Sequence, residues 1–307
     1  MDIERREVAT GSGPVTTFEL GEGPVVGFLH GPAGLDEPTA CMRDLAVDHR
    51  VVAPCLPGFG PTPGDPTLRT VHDWVVFLSE LTDRLGLVGS RWVASSVSAM
   101  LALELAAVRP EAFRSLVAVA PTGLWDPDDP GVDLYSLSLT DQEVHLVADE
   151  EVRTALAAMP EGLDADGLVE LGVSRYVRRR TAASLVWPLP DHGLADRLHR
   201  VVAEVVLVWG AEDRIVPPSY GEWFAGLLPT ATGVPPIAGA AHLVALDAPA
   251  AVAAIVRNDS GGAAWRSWSS SWPWWPVRWP RLRAGLGSPS SRHPFWWPWN
   301  RRFSRSR

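Results

Sequence analysis

The feature that most limits the fold of this chain is a rhythm of short apolar runs alternating with helical patterns, interrupted once. Residues 24–29, 50–54, 91–95, 115–120 and 205–210 are almost continuously apolar and rich in valine. Runs of that kind mark strands buried on both faces. Between them, residues 71–85 and 98–108 carry helical spacing, and Pro110 stops the second helix. Such alternation builds a mostly parallel sheet flanked by helices. From about 122 to 200 the rhythm breaks: residues 149–159 and 164–181 read as helices, and no apolar strand run appears. The alternation then resumes, with a helix near 219–228, a short strand near 233–237 and a last helix over 248–257. A helical insertion between two halves of a sheet predicts a cap or lid above the strands' C-terminal ends.

Residues 1–257 therefore read as one α/β domain, with 122–200 as its helical cap. At residue 258 the composition changes: nine of the fifteen tryptophans follow, with nine arginines against one acid, Asp259. Proline is scattered through this stretch and no helical or strand period is visible, so 258–307 is expected to stay outside the folded domain as a disordered tail. The net charge is −9 although that tail is basic, so the body is strongly acidic and nucleic acid is excluded as its main partner. No run approaches the ~18 apolar residues of a membrane span, so no stable membrane insertion is expected. Arg5-Arg6 leads into no apolar stretch, and a cytoplasmic location is expected. Cys41 and Cys55 lie in no ligand cluster, so no metal site is indicated. Composition leaves the oligomeric state open.

The chemistry concentrates in Trp92-Val93-Ala94-Ser95-Ser96-Val97-Ser98-Ala99, an apolar strand running straight into a helix. A side chain at such a bend projects from the sheet edge, above backbone N–H groups and the positive end of the helix. The bend admits only small residues two before and two after its centre. Around Ser96 these are Ala94 and Ser98; around Ser95 they would be Val93 and Val97. Ser96 is therefore the candidate nucleophile.

The chain here resembles the α/β-hydrolase family over about residues 5–257, with Ala94-Ser95-Ser96-Val97-Ser98 standing where the family usually has G-x-S-x-G. Both glycines are replaced. Leu207 to Pro217, with Asp213, resembles the family's acid loop, and Ile237 to Leu243, with His242, resembles its histidine loop. The order Ser96, Asp213, His242 is the one this fold uses. A serine hydroxyl needs an imidazole to take its proton, and the imidazole needs a carboxylate to fix its tautomer. Asp126, Asp128 and Asp129, after the strand at 115–120, are the competing acids. His30 is read as structural, Glu212 as solvated, and His49, His72, His145, His192 and His199 as surface or cap residues.

The resemblance implies a serine hydrolase that acts on a small acyl substrate, a carboxylic ester or a carbon–carbon bond, through an acyl-enzyme and without a cofactor. Its oxyanion donors would be the N–H groups of Val97 and, from His30-Gly31-Pro32-Ala33-Gly34, of Ala33, because Pro32 has no N–H. Phe59, Leu124, Trp125, Trp187 and Leu243 are the expected pocket residues. Two other readings stand beside this one: a cofactor-free haloperoxidase or perhydrolase using the same triad, and a non-catalytic ligand-binding homologue.

Overall fold

The computed structural model describes residues 2–160 and 162–258; the tail expected to be disordered falls outside the described residues from Asp259 onward. The chain opens with β1 (Ile3–Thr10), β2 (Gly13–Leu20) and β3 (Val25–Leu29). Next come α1 (Ala40–Leu45), β4 (Arg50–Pro54), α2 (Val71–Leu85), β5 (Ser90–Ser95), α3 (Val97–Val108) and β6 (Phe113–Val119). Three helices without an intervening strand follow, α4 (Leu139–Leu146), α5 (Glu150–Ala157) and α6 (Ala165–Val186). The sheet is then completed by β7 (Glu204–Val208) and β8 (Ala231–Gly233), with α7 (Ser219–Leu227), α8 (Val244–Asp247) and α9 (Pro249–Asn258) around them.

The described strands form one sheet of order β1-β2-β4-β3-β5-β6-β7-β8. The β1–β2 and β2–β4 pairs are antiparallel, and every pair from β4 across to β8 is parallel. The expected architecture is therefore present, with a hairpin added at one edge. That hairpin carries no apolar run: β1 is largely exposed, and Glu19 of β2 lies buried between Arg6 and Arg50.

Local chemistry explains the element ends. Thr70 and Asp73 cap α2 reciprocally, and Gly86 closes it in the left-handed region at φ 69°. α3 is buried on almost its whole circumference, which is why its sequence shows apolar residues without a polar stripe. The last strand departs from expectation. It covers 231–233, not 233–237, because Pro235 and Pro236 offer no N–H to a ladder; Ile237 pairs only through an isolated bridge to Gly210. α6 runs on to Val186, five residues beyond the expected end.

The centre of the sheet is packed without slack. Gly27 of β3 lies beside Trp92 of β5, and a Cβ at position 27 would come 2.3 Å from the indole ring. Trp92 is fully buried, so it has nowhere to retreat. Gly27→Ala is expected to lower unfolding free energy by ~1–3 kcal/mol through overpacking. Urea denaturation checks this, and an unchanged midpoint would show that the centre of the sheet can yield.

Candidate active site

β5 ends at Ser95 and α3 begins at Val97, so Ser96 makes the whole turn between strand and helix. Its backbone stands at φ 56° and ψ −122°, a conformation that costs a non-glycine residue on the order of 1–3 kcal/mol. Three backbone bonds hold it there. Ser96 N–H donates to Val119 O (2.8 Å), while its carbonyl accepts from Met100 N–H (3.1 Å) and Thr122 N–H (3.4 Å). Ala94 and Ser98, the two small flanking residues, are both buried. The Ser98 hydroxyl has no hydrogen-bond partner among the described residues.

The structure brings together the three residues that sequence reasoning selected. Ser96 Oγ lies 2.6 Å from His242 Nε2, and His242 Nδ1 lies 2.9 Å from Asp213 Oδ2. Asp213 Oδ1 accepts from Ile215 N–H (2.9 Å) and Val216 N–H (3.0 Å), which orients the carboxylate. With Nδ1–H donating to Asp213, Nε2 is left as the acceptor for the serine hydroxyl. All three residues are at most 3% exposed. Asp126, Asp128 and Asp129 take no part: Asp126 and Asp129 bond the Tyr220 phenol through their backbones.

Two neighbouring loops hold this line in register. Ala211 N–H and Glu212 N–H donate to Ile237 O (2.9 Å) and Ala240 O (3.0 Å), tying the acid loop to the histidine loop. The histidine loop is also tied to the helices between β6 and β7. Leu243 N–H donates to Leu146 O (2.8 Å), and the Asp247 carboxylate accepts from Ala241, Ala148 and Asp149 N–H groups.

Beside Ser96 and His242 opens a cavity of about 240 Å³. Of the residues expected to line it, Leu124, Trp125 and Trp187 do so. Phe59 and Leu243 do not, and the expectation is corrected. Phe59 is buried between the rings of His30 (tilted) and Trp74 (edge-on), and Leu243 packs against Gly31. Pro32, not Ala33, borders the cavity from the 30–34 turn, and the Ala33 carbonyl is held by Arg178 Nη1 at 2.6 Å. Sequence reasoning missed Tyr135, Ile215 and Tyr220 in the wall. Ile215 follows the acid by two positions and could have been inferred; Tyr135 lies in a single 3-10 turn, Leu134–Ser136, too short to carry a periodic signal. His49, expected at the surface, is buried and bonded to Asp48.

With this geometry in place, comparison with known proteins settles the class. A profile described as the alpha/beta hydrolase family matches residues 28–255, and the chain belongs to that family of hydrolases. It is 28% identical over 243 residues to a 2-hydroxymuconate semialdehyde hydrolase of Pseudomonas putida, covering 74% of this chain and 83% of that protein. It is 26% identical over 251 residues to the dihydrolipoyllysine-residue acetyltransferase component of an acetoin cleaving system from Cupriavidus necator. That match covers 76% of this chain but only 63% of the relative's length. Among solved structures, a serine hydrolase from Cycloclasticus zankles shares the fold with a TM-score of 0.65 at 16% identity, over 85% of this chain and 99% of that one.

His30, at the base of the same turn, is a structural group. Its Nδ1 donates to Gly31 O (2.9 Å) and its Nε2 accepts from Leu56 N–H (3.0 Å), which requires a neutral ring. Burial lowers its pKa from 6.5 to about 4. Between those values the unfolded chain binds a proton that the native ring refuses. Stability from this group is thus complete above pH 6.5 and declines as pH falls toward 4, by roughly 3 kcal/mol. A His30→Gln variant is expected to lose less stability than wild type between pH 7 and pH 4.5 in urea unfolding. Equal losses would contradict the assignment.

Proposed function

We propose that this chain is a serine hydrolase in which Ser96 is the nucleophile, His242 the general base and then acid, and Asp213 the residue that orients the imidazole. The observation that carries the reading is the unbroken line from Ser96 Oγ to His242 Nε2 (2.6 Å) and from His242 Nδ1 to Asp213 Oδ2 (2.9 Å). Ser96 Oγ attacks the acyl carbon as its proton passes to Nε2. The tetrahedral intermediate then collapses, and His242 returns the proton to the leaving group. Water attacks the acyl-enzyme, gives its proton to Nε2, and the acid departs with the Ser96 hydroxyl restored.

The oxyanion is assigned first to Val97 N–H, a donor in the first turn of α3 that has no intrahelical acceptor. The second donor is assigned to Ala33 N–H. It supports this that the Gly31-to-Gly34 turn closes through Gly34 N–H to Gly31 O (3.0 Å), leaving Ala33 N–H without an acceptor among the described residues. α4, α5 and α6 are assigned as the cap that shields the acyl-enzyme from bulk water. The substrate is a small molecule with a reactive carbonyl carbon, in an ester or in a carbon–carbon bond such as the named Pseudomonas relative would cleave.

Ser96→Ala is expected to reduce kcat for a p-nitrophenyl ester by at least ~10⁴-fold, and Asp213→Asn by about 10⁴-fold, with KM changed much less. Steady-state kinetics on both variants checks this. A Ser96→Ala protein that retains most of the activity overturns the assignment.

A further inference from the structure

One side of α6 faces away from the sheet and carries a stripe that its own chain leaves uncovered. Val169, Val173 and Tyr176 are 65%, 56% and 66% exposed, and Asp166 and Arg180, at the two ends of the stripe, are exposed as well. Positions 166, 169, 173, 176 and 180 advance by three, four, three and four residues, the spacing of a seam along which two helices pack. From 166 to 180 the stripe runs ~21 Å along the helix. Beside it lies an open groove of about 360 Å³, walled by Val169, Glu170, Val173 and Val177 of α6 and by the glycine-rich turn over 58–64.

Charge decides what fits this face. α6 carries Asp166 and Glu170 in its first half and Arg175, Arg178, Arg179 and Arg180 in its second. Three of those arginines are held within the chain. Arg175 bonds the carbonyls of Ala157 and Ala158, Arg178 bonds Ala33 O and Asp36, and Arg179 bonds the carbonyls of Tyr135 and Leu137. Asp166, Glu170 and Arg180 have no hydrogen bond or ion pair among the described residues. The stripe is thus acidic at one end, apolar in the middle and basic at the other, the pattern that an antiparallel copy of itself complements. A lipid surface fits poorly, because Asp166 and Glu170 would have to be stripped of water or set against anionic headgroups.

We infer that the exposed face of α6 is the contact through which two copies of this chain associate, with their α6 helices antiparallel about a two-fold axis at Val173. Residues whose numbers sum to about 346 then face each other. Val173 meets Val173 on the axis, and Asp166 meets Arg180 at both ends. Tyr176 of each copy lies over Val169 and Glu170 of the other, the residues that wall the groove. Its ring fills that groove, and its hydroxyl donates to the Glu170 carboxylate. Each copy therefore supplies both the ridge and the hollow. The contact is independent of the chemistry assigned to Ser96.

Sedimentation velocity on the full chain, from about 1 μM to about 200 μM, spans the affinities of a contact this small. The sedimentation coefficient is expected to rise with concentration from the monomer toward the dimer value. Val173→Glu sets two carboxylates against each other on the axis and is expected to weaken association at least ~10-fold. Asp166→Arg places a second cation opposite Arg180 and is expected to weaken it about 5-fold; adding Arg180→Asp to that variant restores the opposite charges and the association with them. Unchanged far-ultraviolet dichroism of the variants, all at exposed positions, shows that the fold is kept. A chain that stays monomeric throughout, association indifferent to Val173→Glu, or a double reversal no better than Asp166→Arg alone overturns the inference. So does a monomeric chain that floats with phosphatidylcholine–phosphatidylglycerol vesicles and loses this binding with Val173→Glu, which would assign the face to lipid.

Discussion

The site depends on one strained residue. Ser96 holds a left-handed backbone because its N–H is bound to the end of β6 and its carbonyl is bound by α3 and Thr122. The neighbouring sheet and helix over-determine that conformation, so the hydroxyl is fixed before any ligand arrives. α3, buried almost throughout, makes the arrangement rigid. Relaxing the turn would cost the packing of a central strand and a central helix together. This is a physical reason for small residues at 94 and 98 even though neither is glycine: the bend needs the absence of bulk more than freedom at those two positions.

A second constraint is the fastening of the inserted helices to the loops that carry Asp213 and His242. Asp247 gathers N–H groups from the histidine loop and from the α4–α5 junction, and Leu243 bonds back to Leu146. On the opposite side, Arg178 of α6 grips Ala33 O and Asp36. In the proposed reaction, the same helices that enclose the substrate therefore also position the imidazole loop and the turn assigned to the oxyanion. Movement of the insertion would be felt at both.

Much of this was legible from residues. Valine-rich runs mark the central strands because those strands are buried on both faces, and the meeting of Ser96, His242 and Asp213 could be anticipated because each follows a recognisable strand end. The edge hairpin was not legible, since Glu19 is buried there through pairing with Arg6 and Arg50 and breaks the apolar pattern. Pocket residues fared unevenly. Phe59, expected in the pocket, is instead buried in tilted and edge-on contact with the rings of His30 and Trp74. Tyr135 and Asp133 line the cavity from a short 3-10 turn that Asp133 caps, a piece too brief to show in the apolar pattern.

The central claim is that the hydroxyl of residue 96, and not that of its neighbour Ser95, is the activated nucleophile. Reaction with a fluorophosphonate followed by peptide mapping addresses it directly. The account predicts one adduct per chain, on Ser96, lost when His242 is replaced by Gln. An unmodified protein, or an adduct on Ser95 or another serine, would contradict it.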